Sequence, residues 1–428
     1  MSGIARYETF TTAEISSGKI EEVVALHAGD APFVWAQRDA AVRAPHFKIK
    51  DLAKLDERVE AHIDGLRVGG DTGWEIVKTA LEEGKPGMVF AAAVLAFEGG
   101  EAAKVQVVLD VGTATPATAR ALVSALGWLD AEVASPHIRA LLNASEPVLR
   151  RVGIAAAAAH RLYPRADILQ AAFASDDPLL KARTFRAVGE LGLVGLQQTV
   201  RANLRSEDPL CRFWAGWSTT LLTEHEAAVA CLQNIAEGGG PFSERAAQMA
   251  MRRLAPNDAK AWLKKLVKDL GQKRIAVIAA GAFADPEVVP FLIDQMKVPK
   301  LARVAGESFS LISGADIAYE DLDGEPPEDV EVAPPETPEA EAALEADLSL
   351  PWPDPVLVQK WWNTRQGNFA KGTRYLLGQP ITPESLRLAL KNGYQRQRAA
   401  AALELAILKP GRPLFEVRAP GFRQQQLL

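Results

Sequence analysis

The 428-residue sequence predicts an all-α fold, an α-solenoid built from two-helix repeats of about 31 residues. Three observations support this prediction. Prolines recur at positions 86, 116, 147, 178, 209 and 241, and each opens a segment whose apolar residues have helical spacing. Ala125, Ala156 and Ala187 each lie nine positions after a proline. A second amphipathic segment lies between each helix and the next proline, so each repeat contains two helices.

Local residue chemistry fixes the predicted helix ends. Proline is favoured at the first helical position, where its missing N–H has no partner to lose. Thr115, Asp177 and Asp208 precede their prolines and can accept a hydrogen bond from the first turn. Gly127 and Gly189 lie about three turns further on, where glycine commonly ends a helix.

Four regions follow from the pattern: an N-terminal helical cap at 1–80, the repeats at 81–315, an acidic, proline-rich loop at 316–349 and a C-terminal helical segment at 350–428 that continues or caps the solenoid. Between residues 320 and 347 the loop has twelve acidic residues and five prolines, a composition typical of disorder. It is either a solvated linker or an acidic arm that competes for a basic partner surface or folds over the solenoid's positive face.

The charge is unevenly distributed. The net charge is −6, but residues 304–359 contain 15 acidic residues and no Lys or Arg. The remainder has 48 basic and 39 acidic residues, a charge of +9 that is compatible with an acidic partner.

The sequence has no run of basic residues interleaved with aromatic residues, so it does not predict nucleic-acid binding. No apolar run predicts a signal peptide or membrane insertion, and two cysteines cannot make a disulfide framework, so we expect a cytoplasmic protein.

No motif predicts catalytic, cofactor-binding or metal-binding residues. The six histidines lack metal-ligand spacing, and no Gly-x-Ser-x-Gly elbow is present. Gly238–Gly239–Gly240–Pro241 could cradle a phosphate in isolation, but it falls between repeats and is interpreted as a turn. Cys211 lies in the first turn of a repeat helix, where the helix dipole could lower a thiol pKa, but a buried structural role is the favoured interpretation.

Aromatic and basic side chains are the candidate partner-binding residues, since Trp, Tyr and Arg dominate interface energies when exposed. The alternative is that tryptophans at helical spacing are buried in the hydrophobic core. Adjacent Trp361 and Trp362 cannot both face one helix stripe, so at least one should meet another segment or a partner. The candidates are Trp214, Trp217, Trp361, Trp362, Arg365, Arg374, Arg396 and Arg398.

The period resembles HEAT-like repeats, the kind also found in phycobilin lyases, over roughly residues 80–312. The segments GESFSLISGADI from Gly306, LPWPDP from Leu350 and GTRYLLGQPITPE from Gly372 extend the likeness along the chain. In these segments it resembles an uncharacterised family of proteobacterial HEAT-repeat proteins whose genes are often found near type VI secretion components. The resemblance implies an immunity, adaptor or accessory protein for a secreted effector, and it implies no catalytic residues.

We therefore expect a non-catalytic protein-binding solenoid, not an enzyme, whose partner is an effector toxin or a secretion component. Two alternatives remain. An enzyme would place clustered polar residues with perturbed pKa values in the concave groove. A general scaffold for an intracellular complex would share the fold and differ only in its partner.

Overall fold

The computed structural model describes residues 12–327 and 347–428. These residues are almost entirely helical, so the all-α prediction is confirmed. Within them, the only sheet is an antiparallel pair, β1 (Tyr375–Leu376) and β2 (Gln379–Pro380). The chain divides into two compact units, and each is described by itself.

The first unit comprises Met1–Ala41, Lys50–His160 and Ala419–Phe422. Its helices are α1 (Thr12–Ala41), α2 (Ile49–Val68), α3 (Gly70–Ala80), α4 (Pro86–Gly99), α5 (Ala102–Gly112), α6 (Pro116–Trp128), α7 (Ala131–Leu142) and α8 (Pro147–Ala159). Helix α4 packs on α6, and α6 packs on α8, while α5 and α7 lie against members of that series. Helix α1 packs on α3 and α4.

The second unit comprises Val42–Ile49, Arg161–Arg418 and Arg423–Leu428. Its helices are α9 (Ala166–Phe173), α10 (Pro178–Glu190), α11 (Gln197–Arg201), α12 (Pro209–Leu222), α13 (Glu226–Glu237), α14 (Ser243–Arg253), α15 (Pro256–Lys268), α16 (Lys273–Phe283), α17 (Val289–Gln295), α18 (Pro299–Ser313), α19 (Pro355–Arg365), α20 (Pro383–Asn392) and α21 (Gln395–Leu408). A last helix, α22 (Gly421–Leu427), follows. Helices α10, α12, α14, α16 and α18 pack each on the next.

The helix starts follow the predicted chemistry. Prolines open α4, α6, α8, α10 and α12, whereas α14 begins two residues after its proline. The Thr115 hydroxyl accepts from the N–H of Thr118 at 3.1 Å. The carboxylates of Asp177 and Asp208 each accept an N–H three residues on, both at 2.7 Å. All three predicted caps are confirmed.

Gly189 has a role that the sequence did not indicate. Helix α10 ends one residue after it, at Glu190, but Gly189 has no positive φ and is not a terminating position. Instead, a Cβ added there would lie 2.6 Å from the Ser218 Oγ and 2.7 Å from the Trp217 ring on α12. Glycine is required because α10 and α12 approach closely at this point.

The predicted acidic loop is described only at its two ends. Residues 316–327 form turns in which Ile317 and Leu322 are buried, and the backbone of Asp323 pairs with that of Pro353. Residues 328–346, which carry most of the predicted disorder, lie outside the described residues.

The C-terminal segment packs on the helices of the second unit. Helix α19 lies against α17, β1 against α18, and α21 against α12. Phe47 accepts a backbone hydrogen bond from Gln395 at 2.8 Å, which joins residues 42–49 to the start of α21. All of these contacts involve residues of 350–428, the segment that was predicted to continue or cap the solenoid.

The close approach of α10 and α12 gives a test. Gly189→Ala should destabilise the protein by about 1–3 kcal/mol, because the added methyl group has no room beside Ser218 and Trp217. Urea unfolding followed by circular dichroism measures the change. Gly195→Ala is the control, since a Cβ there meets nothing within 4 Å. Equal stability of the two variants would contradict close packing at Gly189.

Candidate functional site

A groove of about 1180 Å³ lies within the second unit and is the candidate site. Its floor comes from one face each of α14, α16 and α18, because the side chains that line it recur at spacings of three and four residues. They include Arg245, Gln248 and Arg252 on α14, Arg274, Ile278 and Ala282 on α16, and Val304, Glu307 and Leu311 on α18. Residues from 43–46, 240–241, 315–323, 347–351 and 394–400 also line the groove.

Arg274 joins the floor of the groove to its wall. Its Nε lies 2.6 Å from a Glu244 carboxylate oxygen, and its Nη1 lies 2.5 Å from one of Asp347. Burial alone would lower the pKa of Arg274, but the hydrogen bonds with these two carboxylates outweigh it and raise the pKa. Arg274 is therefore charged and holds Asp347, on the wall of the groove, by an ion pair.

A second ion pair crosses from α21 to α18. Arg396 Nη1 lies 3.1 and 2.9 Å from the two carboxylate oxygens of Glu307. Burial raises the pKa of Glu307, and Arg396 opposes that shift. The Tyr394 hydroxyl nearby donates to Asp316 at 2.7 Å. Most of the charge in the groove is thus paired internally.

The described lining holds no nucleophile paired with a base. The Ser308 hydroxyl donates to the backbone carbonyl of Val277 at 3.1 Å and contacts no histidine or carboxylate. Glu307, the groove carboxyl with a raised pKa, is held at both oxygens by Arg396. Across the described residues, no three His, Cys, Asp or Glu side chains are grouped so as to hold a metal ion.

Buried Glu190, at the end of α10, organises a cluster of arginines. Its oxygens lie 2.7 Å from Arg183 Nη2, 2.7 Å from Arg186 Nε and 3.6 Å from Arg418 Nη2. Burial alone would raise the pKa of Glu190, but these arginines outweigh it and hold the pKa far below its usual range. The carboxylate stays ionised and ties residues near the C-terminus to α10.

Arg245 extends this cluster to the groove. Its guanidinium lies 4.9 Å from the centre of the Trp214 ring, and the guanidinium of Arg186 lies 4.6 Å from the same ring. Burial lowers the pKa of Arg245, and the charge of Arg418 lowers it further. Arg245 forms no ion pair within the described residues, so it can offer its charge to a bound group.

Two of the predicted partner-binding tryptophans lie in the core. Trp214 is 5% and Trp217 6% exposed, with ring centres 5.4 Å apart. A partner could not reach them in this conformation, because their rings fill the space around α12. Cys211, one turn earlier, is buried as expected, and burial raises the pKa of its thiol to about 12.

Trp361, Trp362 and Arg365 lie on α19. Both tryptophan rings pack edge-on against Phe309, at 5.6 and 6.3 Å between centres, which is how adjacent residues both find a partner in the chain. Trp362 is buried, whereas Trp361 is partly exposed and donates to Glu320 at 2.7 Å. The Arg365 guanidinium lies 4.5 Å from the Trp361 ring. Trp361 and Arg365 remain accessible to a partner.

The other predicted arginines make internal contacts. Arg374 donates to the carbonyls of Ala282 and Phe283 at the end of α16 and pairs with buried Glu404 at 2.5 Å. Arg398 is fully buried, and burial lowers its pKa to about 10. Its guanidinium donates to the Leu390 carbonyl and to the side chains of Gln395 and Gln424.

Of the eight candidates, only Arg396 lines the groove. The groove residues that sequence reasoning missed include Arg245, Arg274 and Glu307. One signal could have found the first of them: Arg245, Gln248 and Arg252 recur on one face of a helix that is otherwise rich in Ala and Met. A polar stripe there indicates a face that meets solvent or a ligand.

The acidic residues near the arginine cluster predict a pH dependence. Burial alone would raise the pKa of Glu416, but Arg418 and Arg161 outweigh it and lower the pKa from 4.5 to about 2. Because the folded state then holds the proton less tightly than the unfolded chain, Glu416 stabilises the fold above pH 4.5, and this is lost as the pH falls toward 2. Glu416→Gln should lower the free energy of unfolding by up to about 3 kcal/mol at pH 7.

Urea unfolding between pH 3 and pH 7 measures this difference, which should narrow at the acid end. Glu384→Gln is the control, because the side chain of Glu384 is 77% exposed and pairs only with a neighbour on its own helix. If the difference in the free energy of unfolding between the wild type and Glu416→Gln does not change with pH, the lowered pKa of Glu416 is contradicted.

Among the described helices, none combines the length and the apolar character needed to cross a membrane. The groove combines paired charges, an accessible arginine and apolar side chains such as Ile278 and Val304. No match to the chain is found among protein-family models, curated proteins or solved structures.

Proposed function

We propose that the chain is a non-catalytic α-solenoid of HEAT-like repeats that binds another protein through the groove. The observation that carries this proposal is the groove floor, in which α14, α16 and α18 each present one face to the same cavity. Successive repeats of a solenoid present equivalent faces in this way, and extended concave surfaces are where such proteins hold partners.

Helix packing within each unit supports the repeat architecture. In the first unit α4, α6 and α8 pack in series, and in the second unit α10 to α18 do so at every second helix. The intervening helices α13, α15 and α17 lie against members of the second series. This alternation is the contact pattern expected when each repeat contributes one helix to each of two layers.

The lining of the groove favours a protein segment as its occupant. Ile278, Val304, Leu311 and Leu350 supply apolar surface, and Arg245 supplies an accessible guanidinium. Apolar surface beside an accessible arginine is typical of protein interfaces, where aromatic residues, methionine and arginine are enriched. The described lining also lacks a nucleophile held beside a base, so no side chain in it is arranged for nucleophilic catalysis.

The resemblance of the sequence to HEAT-repeat proteins encoded near type VI secretion components suggests the partner. We propose an effector toxin or a secretion component, with the chain acting as its immunity protein, adaptor or accessory. A general scaffold for an intracellular complex would use the same groove, and the identity of the bound protein distinguishes the two.

Affinity purification of the full chain from its native host, followed by mass spectrometry, tests the proposal. The wild type should recover one protein in stoichiometric amount. Ala318→Trp should reduce recovery at least about tenfold, because Ala318 is exposed on the groove wall and a large side chain would occupy the cavity. Arg245→Glu should act in the same direction by reversing the accessible charge.

Ala140→Trp is the matched control, because Ala140 is exposed on α7 of the first unit and does not line the groove. It should recover the partner as the wild type does. Equal recovery by Ala318→Trp and the wild type would refute binding through the groove, and recovery of general chaperones alone would refute a dedicated partner.

A further inference from the structure

A second cavity, of about 920 Å³, lies in the second unit between α11, α12, α13 and the turn before α14. We call it the arginine cavity, because Arg201, Arg205 and Arg212 line it together with His225. No aspartate or glutamate is among its lining residues. The groove has acidic and basic residues in its walls, so the two cavities differ in charge.

The arginines of this cavity are not neutralised by the surrounding chain. Arg212 Nη1 donates to the backbone carbonyls of Ser206 at 2.8 Å and Glu207 at 3.4 Å, which fixes its position but leaves its charge. Arg201 and Arg205 are exposed and form no ion pair within the described residues. Three arginines therefore line one cavity, and the planar fork of a guanidinium matches phosphate oxygens.

Two further groups in the lining carry polar atoms without a partner. The Nδ1 of His225 is buried and has no hydrogen-bond partner within the described residues. Gly238 and Gly239 line the same cavity, and the N–H of Gly239 makes no backbone hydrogen bond there. Gly239 has a φ of +77°, a conformation that glycine adopts without strain. The glycine turn, interpreted from the sequence as a connection alone, thus lies beside the arginines.

Apart from Asn234, the remaining wall of the arginine cavity is made of apolar residues and a cysteine. Leu204, Ile235 and Phe242 contribute to it, and the Phe242 ring stacks on Phe213 with centres 4.4 Å apart. Cys231 also lines the cavity, but its thiol donates to the Leu204 carbonyl and burial raises its pKa. The thiol is therefore unsuited to attack a ligand, and binding would be non-covalent.

We propose that the arginine cavity binds a phosphate monoester carried on an apolar or aromatic body. The arginines and the glycine turn would hold the phosphate, and the wall of Leu204, Ile235 and Phe242 would cover the body. The volume lies within the range of about 300–1000 Å³ typical of small-molecule sites. This site is additional to the proposed protein-binding groove and does not depend on it.

Isothermal titration calorimetry of the full chain with phenyl phosphate tests the proposal. Saturable binding is expected. Inorganic phosphate should bind more weakly because it lacks the apolar body, and benzoate should bind more weakly because it carries a single charge. Absence of saturable binding of phenyl phosphate at millimolar concentration would overturn the proposal, and equal binding of inorganic phosphate would refute the role of the apolar wall.

Variants of the exposed arginines locate the site. Arg201→Ala and Arg205→Ala should each weaken phenyl phosphate binding about tenfold, because each removes charge-assisted hydrogen bonds without disturbing the core. Arg58→Ala is the control, since Arg58 is exposed on α2 of the first unit. Equal affinities for all three variants would show that any binding occurs elsewhere and would overturn the assignment.

The groove variant Ala318→Trp separates this proposal from the proposed function. It should lose the protein partner but bind phenyl phosphate as the wild type does, because Ala318 does not line the arginine cavity. Arg205→Ala should show the opposite pattern. Loss of phenyl phosphate binding in Ala318→Trp would place the anion in the groove and refute the arginine cavity as its site.

Discussion

The contact between a glycine on one helix and a serine on the next sets how closely two pairs of helices approach in the second unit. It occurs twice, between Gly189 on α10 and Ser218 on α12, and between Gly281 on α16 and Ser308 on α18. In both pairs a Cβ on the glycine would lie within 3.0 Å of the serine side chain. The backbones can approach this closely only without that atom.

The serine hydroxyl is satisfied in the same way in both pairs. Ser218 donates to the carbonyl of Phe185 at 2.7 Å, and Ser308 donates to that of Val277 at 3.1 Å. Each carbonyl lies four residues before the glycine of its pair. A buried hydroxyl without a partner would cost about 1–3 kcal/mol, so the bond makes a polar residue tolerable between packed helices. The repeated contact aligns α16 with α18 at the floor of the groove.

Sequence reasoning succeeded where the deciding contact is local. The caps at Thr115, Asp177 and Asp208 depend on an N–H three residues away, so the residue type and the following proline were sufficient. It missed the role of Gly189 because Ser218 is 29 residues further along the chain, and a glycine near a helix end fits a terminating role equally well. Only the crossing of α10 and α12 distinguishes a glycine that ends a helix from a glycine that allows close packing, and that crossing is a feature of the tertiary structure.

The residues predicted to bind a partner could not be chosen reliably from local sequence either. Trp and Arg are typical of interfaces when exposed, but exposure is a property of the tertiary fold. Arg374 pairs with Glu404, thirty residues away, and buried Arg398 donates to Gln424. Neither contact can be read from the local sequence. Arg245 lies on a helix and Arg205 in the turn after α11. An isolated arginine in either place is usually solvated, so only the cavities beside these two distinguish them from other exposed arginines.

The structure shows that only part of the excess positive charge is available to a partner. The formal excess of +9 outside residues 304–359 suggested a broadly basic body. Part of that charge is neutralised internally, since buried Glu190 and Glu404 and partly buried Glu416 each pair with an arginine. The arginines that form no ion pair within the described residues include Arg245 at the groove and Arg201 and Arg205 at the second cavity. Because attraction to an anionic group depends on charge that is both accessible and unpaired, an acidic partner or ligand would be recognised at these two places rather than over a general basic surface.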